Sequence, residues 1–247
     1  MLLKKKTAVI TGCNRGIGKK ILEVFSENGA TVFACVRKND DKFKKFTNDL
    51  KKKNNTNIIP VELDLNSDES VEKSAQIILN STQTIDILVN NAGIIQNSLF
   101  QMTTIDSLKK IFQINYFSLT RFTQYILKSI IKNKGGSIVY IASTSAQDNT
   151  IGRNAYSSTK AAIISQAHTL SREVGRFNIR VNSVSPGLTE TEMMKKNTPE
   201  KTLNDVLANL SLKRIAAPEE IAKVVLFLSS VLSCYVTGQY IRVDGGM

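Results

Sequence analysis

Seven short apolar runs alternate with stretches of helical periodicity along the whole 247-residue chain. No other feature restricts the fold so tightly. "TAVIT" (7–11), "TVFACV" (31–36), "IIPVEL" (58–63), "DILVN" (86–90), "GSIVYIAS" (136–143), "IRVNSVS" (179–185) and "YIRVD" (240–244) read as buried strands. Helical patterns separate them: Gly16 to Asn28, roughly 40 to 53, Ser67 to about Ser81, one long helix from about Ile105 to Lys132, and another through Tyr156 and Lys160 to about Arg176. Ser67 suits an N-cap, and Pro218 suits the first turn of a last helix. Residues 188–213 are looser, with short helical patterns only. No linker, repeat or low-complexity tract divides the chain. The pattern predicts one doubly wound α/β domain over 1–247, a seven-stranded, mostly parallel sheet with helices on both faces. Pro60 argues against a central place for the third strand, because proline donates no ladder hydrogen bond.

Composition removes several function classes. No run of 18 apolar residues exists, so no membrane span is expected, and "MLLKKKTAVI" lacks the apolar region of a signal peptide. Cys13, Cys35 and Cys234 fit neither a disulfide framework nor a zinc site, which predicts a reduced, cytoplasmic protein without metal. The net charge is +12, with lysine clusters at Lys4–Lys6, Lys42–Lys45 and Lys51–Lys53. Solvated helix faces are the favoured reading and nucleic-acid binding the other. A basic surface also draws acidic ligands through its long-range field.

The turn "TGCNRGIG" (11–18) joins the first strand to the first helix. Gly12 permits the sharp turn, while Gly16 and Gly18 let a diphosphate and the sheet approach the helix backbone. The free N–H groups of that helix end then face the diphosphate. A tight turn without ligand is the alternative. In a dinucleotide-binding fold a carboxylate at the end of the second strand holds the ribose of NAD. Here that place is taken by Arg37, and Arg15 lies in the glycine turn. Two guanidinium groups there match a 2′-phosphate, hence NADP(H). Asp40 and Asp41 lie close enough in sequence to compete with that reading. Asp64 is placed to accept from the adenine amino group or to cap a helix. "NNAG" (90–93) would let backbone pass close to the cofactor ribose.

Tyr156 and Lys160 stand one helical turn apart in "RNAYSSTKAA". Reduction of a ketone by hydride leaves an alkoxide that needs a proton. A phenol can supply it, but its ordinary pKa is about 10. A neighbouring ammonium stabilises the phenolate and lowers that pKa. Ser143 ends the fifth strand, where ligands sit in open α/β sheets, and its hydroxyl can hold the carbonyl oxygen. Asn115 lies inside a helix, where asparagine is a poor former. His168, the one histidine, reads as structural or exposed.

With these residues in order, the chain resembles the short-chain dehydrogenase/reductase family over nearly its whole length. The resemblance rests on "TGCNRGIG", "NNAG", Asn115 in "FQINYF", Ser143 in "YIAS", the Tyr156–Lys160 pair, "RVNSVSPG" (180–187), Thr191 and "VDGG" (243–246). "PGLTETEM", "TGQ" and the "VDGGM" ending are most similar to 3-oxoacyl-[acyl-carrier-protein] reductases. The resemblance implies a Rossmann sheet, NADP(H)-dependent carbonyl/alcohol interconversion and a homotetramer built on the helices 105–132 and 153–176. It implies Asn115, Ser143, Tyr156 and Lys160 as the catalytic set, with Asn115 holding a relay water and Lys160 also bonding the nicotinamide ribose. Expected cofactor contacts are Gly12, Asn14, Arg15, Gly16, Ile17, Gly18, Arg37, Asp64, Leu65, Asn91, Ala92, Gly93, Tyr156, Lys160, Pro186, Gly187, Thr189 and Thr191. A 3-oxoacyl thioester and an acyl carrier protein are the implied substrate and partner, the latter matched loosely by Lys134 and Arg176. Departures are Ala155, where such reductases typically carry Asn, "SSTKAA" around the lysine, and the polar segment "SAQDNTIGR" (145–153). A sugar, polyol or other small ketone is the second reading. A non-catalytic NADP(H)-sensing or nucleic-acid-binding protein is the third.

Overall fold

The computed structural model describes residues 1–148 and 150–247; Asn149, in the polar segment 145–153, lies outside the described residues. Seven strands form one sheet: β1 (Thr7–Thr11), β2 (Thr31–Val36), β3 (Ile58–Glu62), β4 (Ile87–Asn90), β5 (Gly136–Ile141), β6 (Ile179–Pro186) and β7 (Tyr240–Val243). Their order is β3-β2-β1-β4-β5-β6-β7, and every pairing is parallel. The predicted "mostly parallel" sheet is therefore wholly parallel.

Side chains alternate across the sheet with period two, and each set meets its own layer of helices. Ala8 and Ile10 of β1, with Val32, Ala34 and Val36 of β2, pack with α1 (Gly16–Glu27), α2 (Asp41–Asn54) and α10 (Pro218–Ser229). Val9, Phe33, Ile138 and Tyr140 face the other way, onto α3 (Asp68–Ser81), α5 (Ser118–Lys132) and α7 (Asn154–Val174). Both faces being covered explains why the strands read as continuous apolar runs rather than as alternating ones. On the α2 surface most lysines are exposed, while Phe43, set between Lys42 and Lys44, is buried. Among the described residues no helix is long and apolar enough to cross a membrane.

Pro60 sits where its chemistry allows. β3 is an edge strand. The Asn57 carbonyl accepts from Val32, and the Leu63 N–H donates to Val36. Period two then turns Pro60 toward the open edge, where no donor is required.

The predicted helix from Ile105 to Lys132 is not uniform. α4 (Ile105–Phe112) and α5 are joined by a π turn, Gln113–Phe117, which carries Asn115. The path stays helical throughout, so the apolar spacing gave no sign of the extra residue in the turn. The loose stretch 188–213 holds two short helices, α8 (Glu192–Asn197) and α9 (Glu200–Asn209). α6 (Ser145–Asp148) is a single turn after β5.

The chain runs outward from β1 in one direction to β3, then returns to β4 on the other side of β1. Loops leaving β1 and β4 therefore diverge and open a crevice at the carboxyl ends of the strands.

Candidate active site

A cavity of about 430 Å³ occupies that crevice, within the range usual for small-molecule sites. Every residue expected at the cofactor lines it: Gly12, Asn14, Arg15, Gly16, Ile17, Gly18, Arg37, Asp64, Leu65, Asn91, Ala92, Gly93, Tyr156, Lys160, Pro186, Gly187, Thr189 and Thr191. Ser143 lines it too, whereas Asn115 stands behind the wall.

One end is made of backbone. Gly12 has φ 76° and Gly16 φ 55°, conformations that side chains resist. A Cβ on Gly18 would lie 2.2 Å from the Gly12 carbonyl and 2.3 Å from Asn91 Nδ2. The turn is thus packed without room for one methyl group. Thr11 Oγ1 accepts the N–H groups of Asn91 and Ala92, each at 3.0 Å, and Asn91 Nδ2 donates to the Thr11 carbonyl at 2.9 Å. These bonds lash the end of β1 to the end of β4. What remains exposed is a glycine-lined helix end that a diphosphate fits.

At the β2 end the described residues that line the cavity are Cys35, Val36 and Arg37, none of them a carboxylate. Asp40 caps α2, accepting from the Phe43 N–H at 2.8 Å, and Asp41 pairs with Lys44 at 3.3 Å. The two aspartates that competed in sequence are thereby engaged elsewhere. Asp64 is not the helix cap; Ser67 is, accepting from the Ser70 N–H at 3.1 Å. Asp64 Oδ1 instead accepts from the Asn66 backbone N–H and side-chain amide. Those bonds and the charge of Arg37 hold its carboxyl below the ordinary value. Arg15 pairs with Glu192 at 3.1 Å, joining the glycine turn to the first turn of α8. Glu192 is separated from Arg15 by 177 residues, and its place at the cleft had no signal in the sequence.

The other end is made of side chains. Tyr156 and Lys160 sit on α7, both buried. Lys160 Nζ donates to the Ile141 carbonyl at 2.7 Å and lies 5.7 Å from the Tyr156 ring centroid. Burial holds the Lys160 ammonium down at about 8. Burial also pushes the Tyr156 phenol up, while the Ser143 hydroxyl and the positive charge of Arg153 pull it down. Arg153 thus adds its charge at the phenol, beside the Lys160 ammonium to which the sequence pointed. Arg153 also lines the cavity and was not among the expected site residues.

Asn115 is fully buried. Its side chain accepts from the Ile94 N–H at 2.8 Å and donates to the Ile94 carbonyl at 2.9 Å and to Thr159 Oγ1 at 3.1 Å. It clamps the loop after β4 against α7, and the π turn supplies the position from which it reaches both. π turns recur at functional sites. Thr191 caps α8, accepting from the Met194 N–H at 3.1 Å. Gly187 has a reason beyond any ligand: a Cβ there would lie 2.8 Å from Asp244 Cα. His168 is exposed.

Comparison with known proteins agrees with this geometry. A family model described as Enoyl-(Acyl carrier protein) reductase matches residues 12–247. The chain is 36% identical to the 3-oxoacyl-[acyl-carrier-protein] reductase of Chlamydia muridarum over 246 residues, which covers 100% of this chain and 98% of that one. Among solved structures, a 7α-hydroxysteroid dehydrogenase complexed with NADH and 7-oxo glycochenodeoxycholic acid superposes with a TM-score of 0.93 at 30% identity, covering 99% of this chain and 94% of that one. A short-chain dehydrogenase/reductase family protein superposes with a TM-score of 0.86 at 33% identity, covering 100% and 98%. With its glycine turn, its Ser143–Tyr156–Lys160 set and its all-parallel sheet, the chain belongs to the short-chain dehydrogenase/reductase family.

Proposed function

We propose that the protein is an NADP(H)-dependent reductase of ketones, and that its substrate is a 3-oxoacyl thioester presented by acyl carrier protein. The observation that carries this reading is one cleft shared by the glycine turn, Ser143, Tyr156 and Lys160. Residues at the turn fit a dinucleotide, and Arg37 with Arg15 fits a 2′-phosphate. NADPH, when bound, supplies the hydride to the carbonyl carbon. Around that step the protein's own groups act on the oxygen. Ser143 donates a hydrogen bond that orients the carbonyl, and Tyr156 gives its phenolic proton to the forming alkoxide. Lys160 keeps a cation beside the ring, is fixed by the Ile141 carbonyl, and is free to bond the nicotinamide ribose. Asn115 fixes the Gly93–Ile94 backbone in front of Lys160 and completes the proton relay.

The whole chain, 1–247, works as one catalytic domain in this reading, in a reducing cytoplasmic setting and as a homotetramer. Lys134 and Arg176 are exposed, as carrier docking would need. They precede β5 and β6 and so lie at the sheet end opposite the cleft. A carrier bound there serves the cleft of a neighbouring subunit, which joins the docking and the tetramer in one scheme.

Purified protein should oxidise NADPH in the presence of an acetoacetyl thioester. Tyr156→Phe should lower turnover by about 10²- to 10⁴-fold while NADPH affinity stays within about twofold. Full turnover in that variant removes Tyr156 from the reaction. Turnover on sugars or polyols with none on acyl thioesters transfers the assignment to those substrates.

A further inference from the structure

Six charged side chains line the cleft: Arg15, Arg37, Asp64, Arg153, Lys160 and Glu192. Arg15 and Glu192 pair with each other, Arg37 stands beside Asp64, and Lys160 belongs to the proton-transfer set. Arg153 lends its charge to the Tyr156 phenol, but its guanidinium has no ion-pair partner among the described residues. It occupies the N-cap position of α7, yet its side chain makes no capping bond. The residue is half-buried. It donates to Ser145 Oγ at 3.4 Å and meets no carboxylate among the described residues. Most of its five N–H donors are therefore uncommitted there. A partly desolvated cation with open donors is unfavourable unless an oxygen acceptor meets it.

The surroundings show where such an acceptor would arrive. Arg153 is one helical turn before Tyr156, so both project from the same end of α7. Both residues line the same cleft, and the charge of Arg153 helps to pull the phenol down. The loop after β4 is tied to the segment before Arg153 by Ser98 N–H on the Gly152 carbonyl at 2.8 Å. The same loop is tied to the end of α8 by Asn97 Nδ2 on the Asn197 carbonyl at 3.0 Å. Ile94, Ile95, Met193 and Met194 line the space so enclosed. It offers apolar walls for an alkyl chain and one cation for an oxygen.

We infer that Arg153 determines specificity in this active site by receiving a second oxygen of the substrate, on the carbon two positions from the ketone that Tyr156 and Ser143 hold. The inference rests on the ketone-reductase reading and names the substrate feature that this reading leaves open. In a 3-oxoacyl thioester the second oxygen is the thioester carbonyl; in a 3-oxo acid it is the carboxylate. Both present an acceptor to the guanidinium, and a carboxylate does so bidentately.

The test compares wild type, Arg153→Gln and Arg153→Lys on an acetoacetyl thioester, on acetoacetate and on butan-2-one, with NADPH throughout. Arg153→Gln should lower kcat/KM for substrates with the second oxygen by about 10- to 100-fold, the range of a hydrogen bond to a charged group. Butan-2-one, which lacks that oxygen, should lose markedly less, its loss reporting only the charge that Arg153 lends the Tyr156 phenol. Arg153→Lys should recover part of the loss, since a point charge replaces a fork. A larger loss on the acid identifies the carboxylate as the preferred acceptor; a larger loss on the thioester identifies the carbonyl. Equal losses on all three substrates, or none, overturn the role of Arg153 while leaving the ketone reductase in place. A wild-type enzyme that reduces no ketone overturns the underlying reading.

Discussion

The two ends of the cleft are built by different means. At the β1–β2 end the surface that meets a dinucleotide is main chain, held by glycines that admit no side chain and by Thr11–Asn91 bonds between strand ends. At the β5–α7 end the reactive surface is side chain, with a phenol, a hydroxyl and two cations lining the cleft. Backbone recognises what all members of a cofactor class share, since every residue type but proline supplies the same N–H. Side chains and the short helix α8 recognise what differs between substrates.

Gly18→Ala puts that contrast under the greatest strain. Its methyl group would fall 2.2 Å from the Gly12 carbonyl, so the turn or the helix must move. Destabilisation of about 3 kcal/mol is expected, with dinucleotide binding lost in parallel. Thermal unfolding and NADPH titration measure both. A variant that keeps native stability and affinity shows the turn to be yielding rather than fixed.

Lys160→Met tests the side-chain end through pH. In the folded chain Lys160 titrates at about 8, against about 10.4 for a free lysine. Between those values the unfolded chain carries the extra proton, so the stability that Lys160 contributes rises with pH across the window. Wild-type unfolding free energy should therefore climb relative to Lys160→Met by about 2.5 kcal/mol from pH 8 to pH 10.4. Urea unfolding across that range reads it. A constant difference between the two proteins means that the ammonium is solvated.

Arg37→Gln separates the cofactors without touching the glycine turn. NADPH affinity should fall by about tenfold while NADH affinity holds, because one guanidinium contact to the 2′-phosphate is lost. Equal loss for both dinucleotides places Arg37 in general binding instead. The smallest effect belongs to Thr191→Ala. Loss of the cap on α8 should loosen that helix by about 1 kcal/mol, seen as faster hydrogen exchange at Met194, with the sheet unaffected.

Much of this architecture was legible in the residues. Each of the seven apolar runs became a strand, with ends displaced by no more than about two residues, because a buried parallel strand shows its nature in composition alone. Pro60 marked an edge, and Ser67 marked a helix start. The turn of glycines, Ser143, Tyr156 and Lys160 were legible as types at defined places. Other features left no trace. The π turn around Asn115 shares the periodicity of the helices it joins. Arg153 reads as any polar loop residue until the fold turns it beside a phenol, and Asp40 looks free until it caps α2.

The amino-acid order by itself determined the alternation of elements, the glycine turn and the chemical kinds of group available for proton transfer, since these follow from local sterics and from side-chain identity. Tertiary structure alone decided that Arg153 joins Lys160 at Tyr156, which carboxylate meets Arg15, and how far Lys160 is removed from water. Those depend on distances between segments far apart in the chain and on how much solvent packing excludes, and neither quantity resides in a stretch of neighbouring residues.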